Sequence, residues 1–171
     1  TAKFFWDASA ESLGIGTTSP YGKLRLNETA GSCQFYITSS NTSDSSIIFG
    51  SQDDLATGSI SYFHSDDSLR FSGYNNQEAF RIDSSGNLLV GTTDDVVWDN
   101  SANSAADNGH NLRDDGRSGF SSYQATANSN STINVNRTGS DGDVIRAFKA
   151  GSLVGSIGTV ASRLFIGNDD T

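Results

Sequence analysis

Two histidines, one cysteine and a scatter of adjacent aspartates are the side chains of this 171-residue chain that could do chemistry. Nucleophilic catalysis needs a base beside the nucleophile, and only His64 and His110 could serve. His64 lies in Tyr62-Phe63-His64-Ser65-Asp66-Asp67, where serine, histidine and aspartate stand close together. No nucleophile-elbow phrase accompanies them, so the stretch reads as an ordinary loop. Paired carboxylates could instead cleave glycosidic bonds. Glutamate occurs only at positions 11, 28 and 78, and the aspartate pairs fall at 53/54, 66/67, 94/95, 114/115 and 169/170. Each pair sits in a turn-like segment, where such carboxylates usually face water as turn formers. None completes an oxygen-ligand loop for Ca²⁺, and the nearest fragment, Ser140-Asp141-Gly142-Asp143, reads as a tight turn. The residue chemistry therefore points away from an enzyme and predicts no metal or other cofactor.

Sugar binding asks for less: an exposed ring with amides or carboxylates beside it. Three stretches offer that, and they supply the candidate glycan contacts Tyr62, His64, Tyr74, Asn76 and Trp98. Tyr62 and Phe63 are consecutive, so in a strand one of them points outward. Core or interface packing is the competing use of every one of these rings.

The elements that would position them are strands. Period-two alternation of apolar and polar residues marks Lys23–Asn27, Ser59–Tyr62, Leu69–Phe71, Phe80–Asp83 and Thr132–Asn136. Turn residues separate them at Asp83–Asn87, Gly139–Asp143 and Ala150–Ser152, with Gly86 supplying the positive φ of a hairpin. No segment of ten residues has the apolar period of a helix, so the fold class is all-β. Cys33, beside the strand-like run Gln34–Ile37, is expected as a small buried apolar residue.

Two phrases are written twice. FWDASAESLGIGTT (Phe5–Thr18) returns as FRIDSSGNLLVGTT (Phe80–Thr93), with the aspartate shifted by one position. Gly58-Ser59-Ile60, Leu69 and Phe71 return as Gly155-Ser156-Ile157, Leu164 and Ile166. The chain is thus expected to hold two diverged tandem modules, 1–79 and 80–171. The second carries an inserted polar loop at about 94–122, read as a stitch whose apolar points pin it to a neighbouring surface. Such duplication lengthens rods and arrays.

Composition limits what one copy can do. Ile, Leu, Val and Phe total 37 residues, about 22%, just above the roughly 20% where disorder becomes the expectation. A regular β rhythm with so little core predicts that partner chains supply the remaining interior. The net charge of −9 argues against nucleic-acid binding. No stretch approaches the ~20 apolar residues of a membrane span. The absence of methionine, even at position 1, suggests a piece of a longer polypeptide.

The phrases SLGIGTTSPYGKLRL (Ser12–Leu26), RIDSSGNLLVGTT (Arg81–Thr93) and NRTGSDGDVIRAFKAGSLVGSIGT (Asn136–Thr159) resemble shaft repeats of bacteriophage tail fibres, in particular those of phages of marine bacteria. The resemblance implies an elongated homotrimer of short strands and turns, a β-prism or intertwined β-helix-like shaft. Such fibres often end in an intramolecular chaperone domain, which is not recognisable before Thr171. Their place is the virion tail, extracellular after release, with adjacent tail or virion proteins and host surface glycan as partners. A polysaccharide-degrading tailspike fragment, a head fibre and a trimeric bacterial adhesin are the alternatives that share this shaft physics.

Overall fold

The computed structural model describes residues 3–99, 108–123, 131–161 and 163–167, and within them the chain is all-β. Three sheets form, none of them closed. The first contains β1 (Phe4–Asp7), β2 (Ser12–Ile15) and β3 (Leu24–Leu26). β1 and β2 are an antiparallel hairpin, and β3 lies parallel to β2. The second is a seven-stranded antiparallel meander: β4 (Ser45–Phe49), β5 (Gly58–Phe63), β6 (Ser68–Ser72), β7 (Glu78–Ile82), β8 (Leu88–Val90), β9 (Gly109–Leu112) and β10 (Ser118–Ser121). A short 3₁₀ turn, Tyr74–Asn76, interrupts it between β6 and β7. The third sheet joins β11 (Gly142–Lys149), β12 (Ser152–Val160) and β13 (Arg163–Gly167).

The repeated phrases have similar registers. Ile47 opposes Ile60, which opposes Phe71, in β4–β6; Ile145 opposes Ile157, which opposes Ile166, in β11–β13. The first phrase behaves alike. Asp7 pairs with Ser12 across the β1–β2 hairpin, and the backbone N–H of Asp83 donates to Asn87 O across β7–β8. One Oδ1 of Asp7 accepts from the N–H groups of Ser9 and Ala10, and Asp83 Oδ1 accepts from those of Ser85 and Asn87. The apparent one-position shift of the aspartate is a one-residue difference in loop length. Glu11 (φ 49°) closes the longer loop and Gly86 (φ 87°) the shorter.

Asp83 gives this hairpin a pH signature. Burial works against its charge, yet bonds from the Asn87 side chain and the Asn87, Ser85 and Gly86 backbone hold its carboxyl below the usual range. A depressed folded pKa stabilises above the unfolded value of about 3.9 and the contribution fades as pH falls through the folded pKa. Thermal melts between pH 5 and 2 should therefore show a loss that Asp83→Asn lacks. A variant as acid-sensitive as the parent would refute this role.

Several expectations are corrected. The supposed loop at 94–122 contains a hairpin, β9–β10, that adds two strands to the meander. Its turn at Asp114-Asp115-Gly116 repeats the bonding of Ser84-Ser85-Gly86: the Arg113 N–H donates to Arg117 O and the Gly116 N–H to Arg113 O. Residues 100–107 of that insert lie outside the described residues. The module boundary at 79/80 falls within β7, so the meander crosses it without a break. Cys33 is exposed and Gln34–Ile37 is not a strand, because no neighbouring strand pairs with it. Thr132–Asn136 pairs with no strand among the described residues, and Ile133 and Val135 are exposed.

Directly opposed residues share a face, so the registers divide each sheet into two surfaces. One face of the meander carries two rows: Tyr62, Leu69, Ile82, Leu88 and Leu112; and Ile47, Ile60, Phe71, Phe80, Val90, His110 and Phe120. Phe71 and Phe80 stack at 4.3 Å between ring centroids. The other face carries Ser46, Ser61, Arg70, Arg81, Leu89, Asn111 and Gly119. Coverage is the reverse of the usual arrangement. The polar face holds the buried residues Ser61, Leu89 and Asn111, while no residue of the apolar rows is buried. The first sheet repeats this on a small scale, with Phe4, Trp6, Leu13, Ile15, Leu24 and Leu26 sharing one open face.

Among the described residues only Leu89 and Val97 are buried apolar side chains. Val97 and Trp98, in the segment Asp94–Trp98, lie over the polar face at β10, where a Cβ on Gly119 would stand 2.8 Å from Val97 Cγ2 and 2.5 Å from Trp98 Cε3, and Leu89 belongs to the same face in the row Leu89–Asn111–Gly119. Asn111 Nδ2 and Arg113 Nη1 both donate to Asp95 O and tie the segment down. Leu89 is 1% exposed, and Leu89→Ala should cost about 2–4 kcal/mol, read as a lower denaturant midpoint. A change below about 0.5 kcal/mol would mean that Leu89 anchors nothing.

Candidate functional site

The five candidate glycan contacts occupy three separate places. Tyr62 is the penultimate residue of β5 and His64 opens the β5–β6 loop, and their rings meet edge to face at 5.0 Å. The Tyr62 hydroxyl donates to Asp67 Oδ1 at 3.2 Å. Partial burial of the ring, then this bond to a carboxylate, raises the phenol's pKa. Ser45 Oγ stands 3.5 Å from His64 Nε2, at the outer limit of a hydrogen bond. Asp66 turns elsewhere, accepting from Ser68 Oγ and the Arg70 guanidinium, while Asp67 serves Tyr62. Serine, histidine and aspartate thus cluster here without the base–orienter pairing that activates a nucleophile.

Tyr74 and Asn76 lie at the far end of β6, in the connection to β7. Tyr74 is 77% exposed. Asn76 is committed to the fold: its amide donates to Ala56 O at 2.8 Å and its backbone N–H to Thr57 O. Asn75 and Asn76 both adopt positive φ, which asparagine tolerates better than most residues.

Trp98 stands on the polar face, half exposed, with the Arg117 guanidinium 5.5 Å from its ring centroid. Arg117 also bonds Asp115, and that pairing depresses the Asp115 carboxyl. Opposite ends of β6 separate the Tyr62–His64 pair from Tyr74 and Asn76, and Trp98 belongs to the cover over β8–β10. The five do not build one cleft.

The alternation readings did not anticipate the ion-pair group at the centre of the polar face. Arg70 and Arg81 oppose each other directly, an arrangement that needs anions beside it. Asp66 pairs with both, Glu78 pairs with both, and the Arg70 guanidinium also lies 3.8 Å from the Phe63 ring centroid. Glu78 is the first cause of the raised Arg81 pKa; the bond from Ser68, then Arg70, lowers that of Asp66. The signal was present in sequence: arginine at the polar phase of both Leu69-Arg70-Phe71 and Phe80-Arg81-Ile82. Two cations and two anions neutralise each other, so the group closes a surface and leaves no spare charge for a ligand.

Among the described residues no cluster of three or more His, Cys, Asp or Glu side chains could hold a metal ion, and no helix is long and apolar enough to cross a membrane. Compared with protein-family models, with characterised proteins and with solved structures, the chain gives no significant match.

Proposed function

We propose that this chain is a structural segment of a bacteriophage tail fibre, a homotrimeric β shaft that supports or forms the host-attachment end. One observation carries the reading: the chain leaves the apolar faces of its sheets uncovered. Its accessible surface is 12449 Å². A folded monomer of 18.1 kDa would expose about 8,100 Å². The difference, about 4,300 Å² per chain, matches the range of obligate assemblies. Three chains arranged as a prism would each turn an apolar face inward, and three identical tips would let weak glycan contacts add through avidity. The polar face, already closed by its own ion pairs, would face solvent. The expected surroundings are the virion tail and its neighbouring proteins, with host surface glycan as the attachment target.

Gold-labelled antibody against this segment, applied to intact virions, tests the reading. Label along the tail appendages is expected; label confined to the head, or to bacterial cells never exposed to phage, would overturn it. Incubation with host capsule or lipopolysaccharide should release no reducing sugar. Turnover abolished by an aspartate substitution would assign the chain to a degrading spike instead.

A further inference from the structure

We infer that the apolar face of the seven-stranded meander is the surface on which further copies of this chain dock, with its arginine-bearing face turned outward; this deepens the fibre reading and rests on it. The two faces could be assigned either way from strand positions alone. Three observations choose between them.

The first is charge. A chain of net charge −9 resists the approach of its own copies. The two apolar rows contain no carboxylate, lysine or arginine, so copies that meet through them bring no like charges together and strip water from no ion. The second is coverage. The opposite face is already occupied by the Asp66–Arg70–Glu78–Arg81 group and by Asp94–Trp98, which is bonded to Asn111 and Arg113 through Asp95 O and lies against Gly119. Docking there would have to displace those contacts. The third is repetition. The row Ile47–Ile60–Phe71 returns as Ile145–Ile157–Ile166, which lies on an apolar trough with Ala147 and Gly155. A copy of this chain therefore offers the same apolar cross-strand row in two of its sheets.

The area taken over all three sheets fits further copies of this chain as the occupant. Summed over the whole chain, the excess of about 4,300 Å² is in the range that chains sharing an interior bury.

Residues on opposite faces make the test. In a Cys33→Ser background, Ile47→Cys and Val90→Cys place thiols on the apolar face, while Ser46→Cys and Ser72→Cys place them on the other. With particle mass measured in parallel, maleimide should modify the first pair about tenfold more slowly than the second, relative to each urea-unfolded variant. Equal rates in particles of oligomeric mass would overturn this assignment and leave the fibre reading standing. A folded species of monomer mass would overturn the fibre reading itself. As a second measurement, Ile60→Glu should abolish assembly and Ser59→Glu should retain it; the reverse order would also sink the assignment.

Discussion

Dilution should take the assembled chain directly to unfolded polypeptide, with no folded species of 18.1 kDa between them. Light scattering at high concentration is expected to give three chains, 3 × 18.1 or about 54 kDa. The thermal midpoint should rise with concentration, because each folded chain is stabilised by its neighbours through mass action. The physical reason is the burial pattern. Leu89 and Val97 are the buried apolar side chains among the described residues, whereas Phe4, Phe49, Leu112, Phe120, Ile145 and Ile166 are exposed. Two buried apolar side chains cannot balance the backbone entropy of the thirteen strands among the described residues at ~1 kcal/mol or more per residue. A midpoint independent of concentration, with a cooperative monomer, would refute the coupling of folding to assembly.

The two glycines that open the repeated Gly-Thr-Thr should respond very differently to alanine. Gly16 has φ 76° and Gly91 has φ 67°, so each substitution incurs the left-handed penalty of about 1–2 kcal/mol. Only Gly16 is also crowded. A Cβ there would enter the van der Waals shell of the Asn27 carbonyl oxygen, just where the Asn27 N–H donates to Ile15 O and extends the β2–β3 ladder. At Gly91 nothing lies within 4 Å. Gly16→Ala should therefore cost about 3 kcal/mol or more, and Gly91→Ala about 1 kcal/mol. Equal losses in denaturant melts would show that β3 does not hold its parallel place beside β2 in solution.

Much of the fold was legible because alternation is a local property. Leu69-Arg70-Phe71 and Phe80-Arg81-Ile82 announce half-buried strands, and Asp83–Asn87 announces its hairpin through an aspartate and a glycine at fixed spacing. The β9–β10 hairpin was hidden for the opposite reason. Gly109–Leu112 and Ser118–Ser121 carry few apolar residues, and their strand character comes from pairing with β8. Cys33–Ile37 shows the converse failure: apolar residues in a row, with no partner strand to make a ladder.

The candidate site divides in the same way. Tyr62 beside His64 could be read from a spacing of two residues, whereas their distance from Tyr74, at the other end of β6, follows from the register of the hairpins. Residue order alone settled an all-β chain with twin motifs and a thin interior, since composition and two-residue rhythm act within a few positions. Which side of each sheet is closed, which arginines meet and where the insert lies were settled by strand pairing. Pairing joins residues far apart in the chain, and the energy of a face depends on what finally covers it.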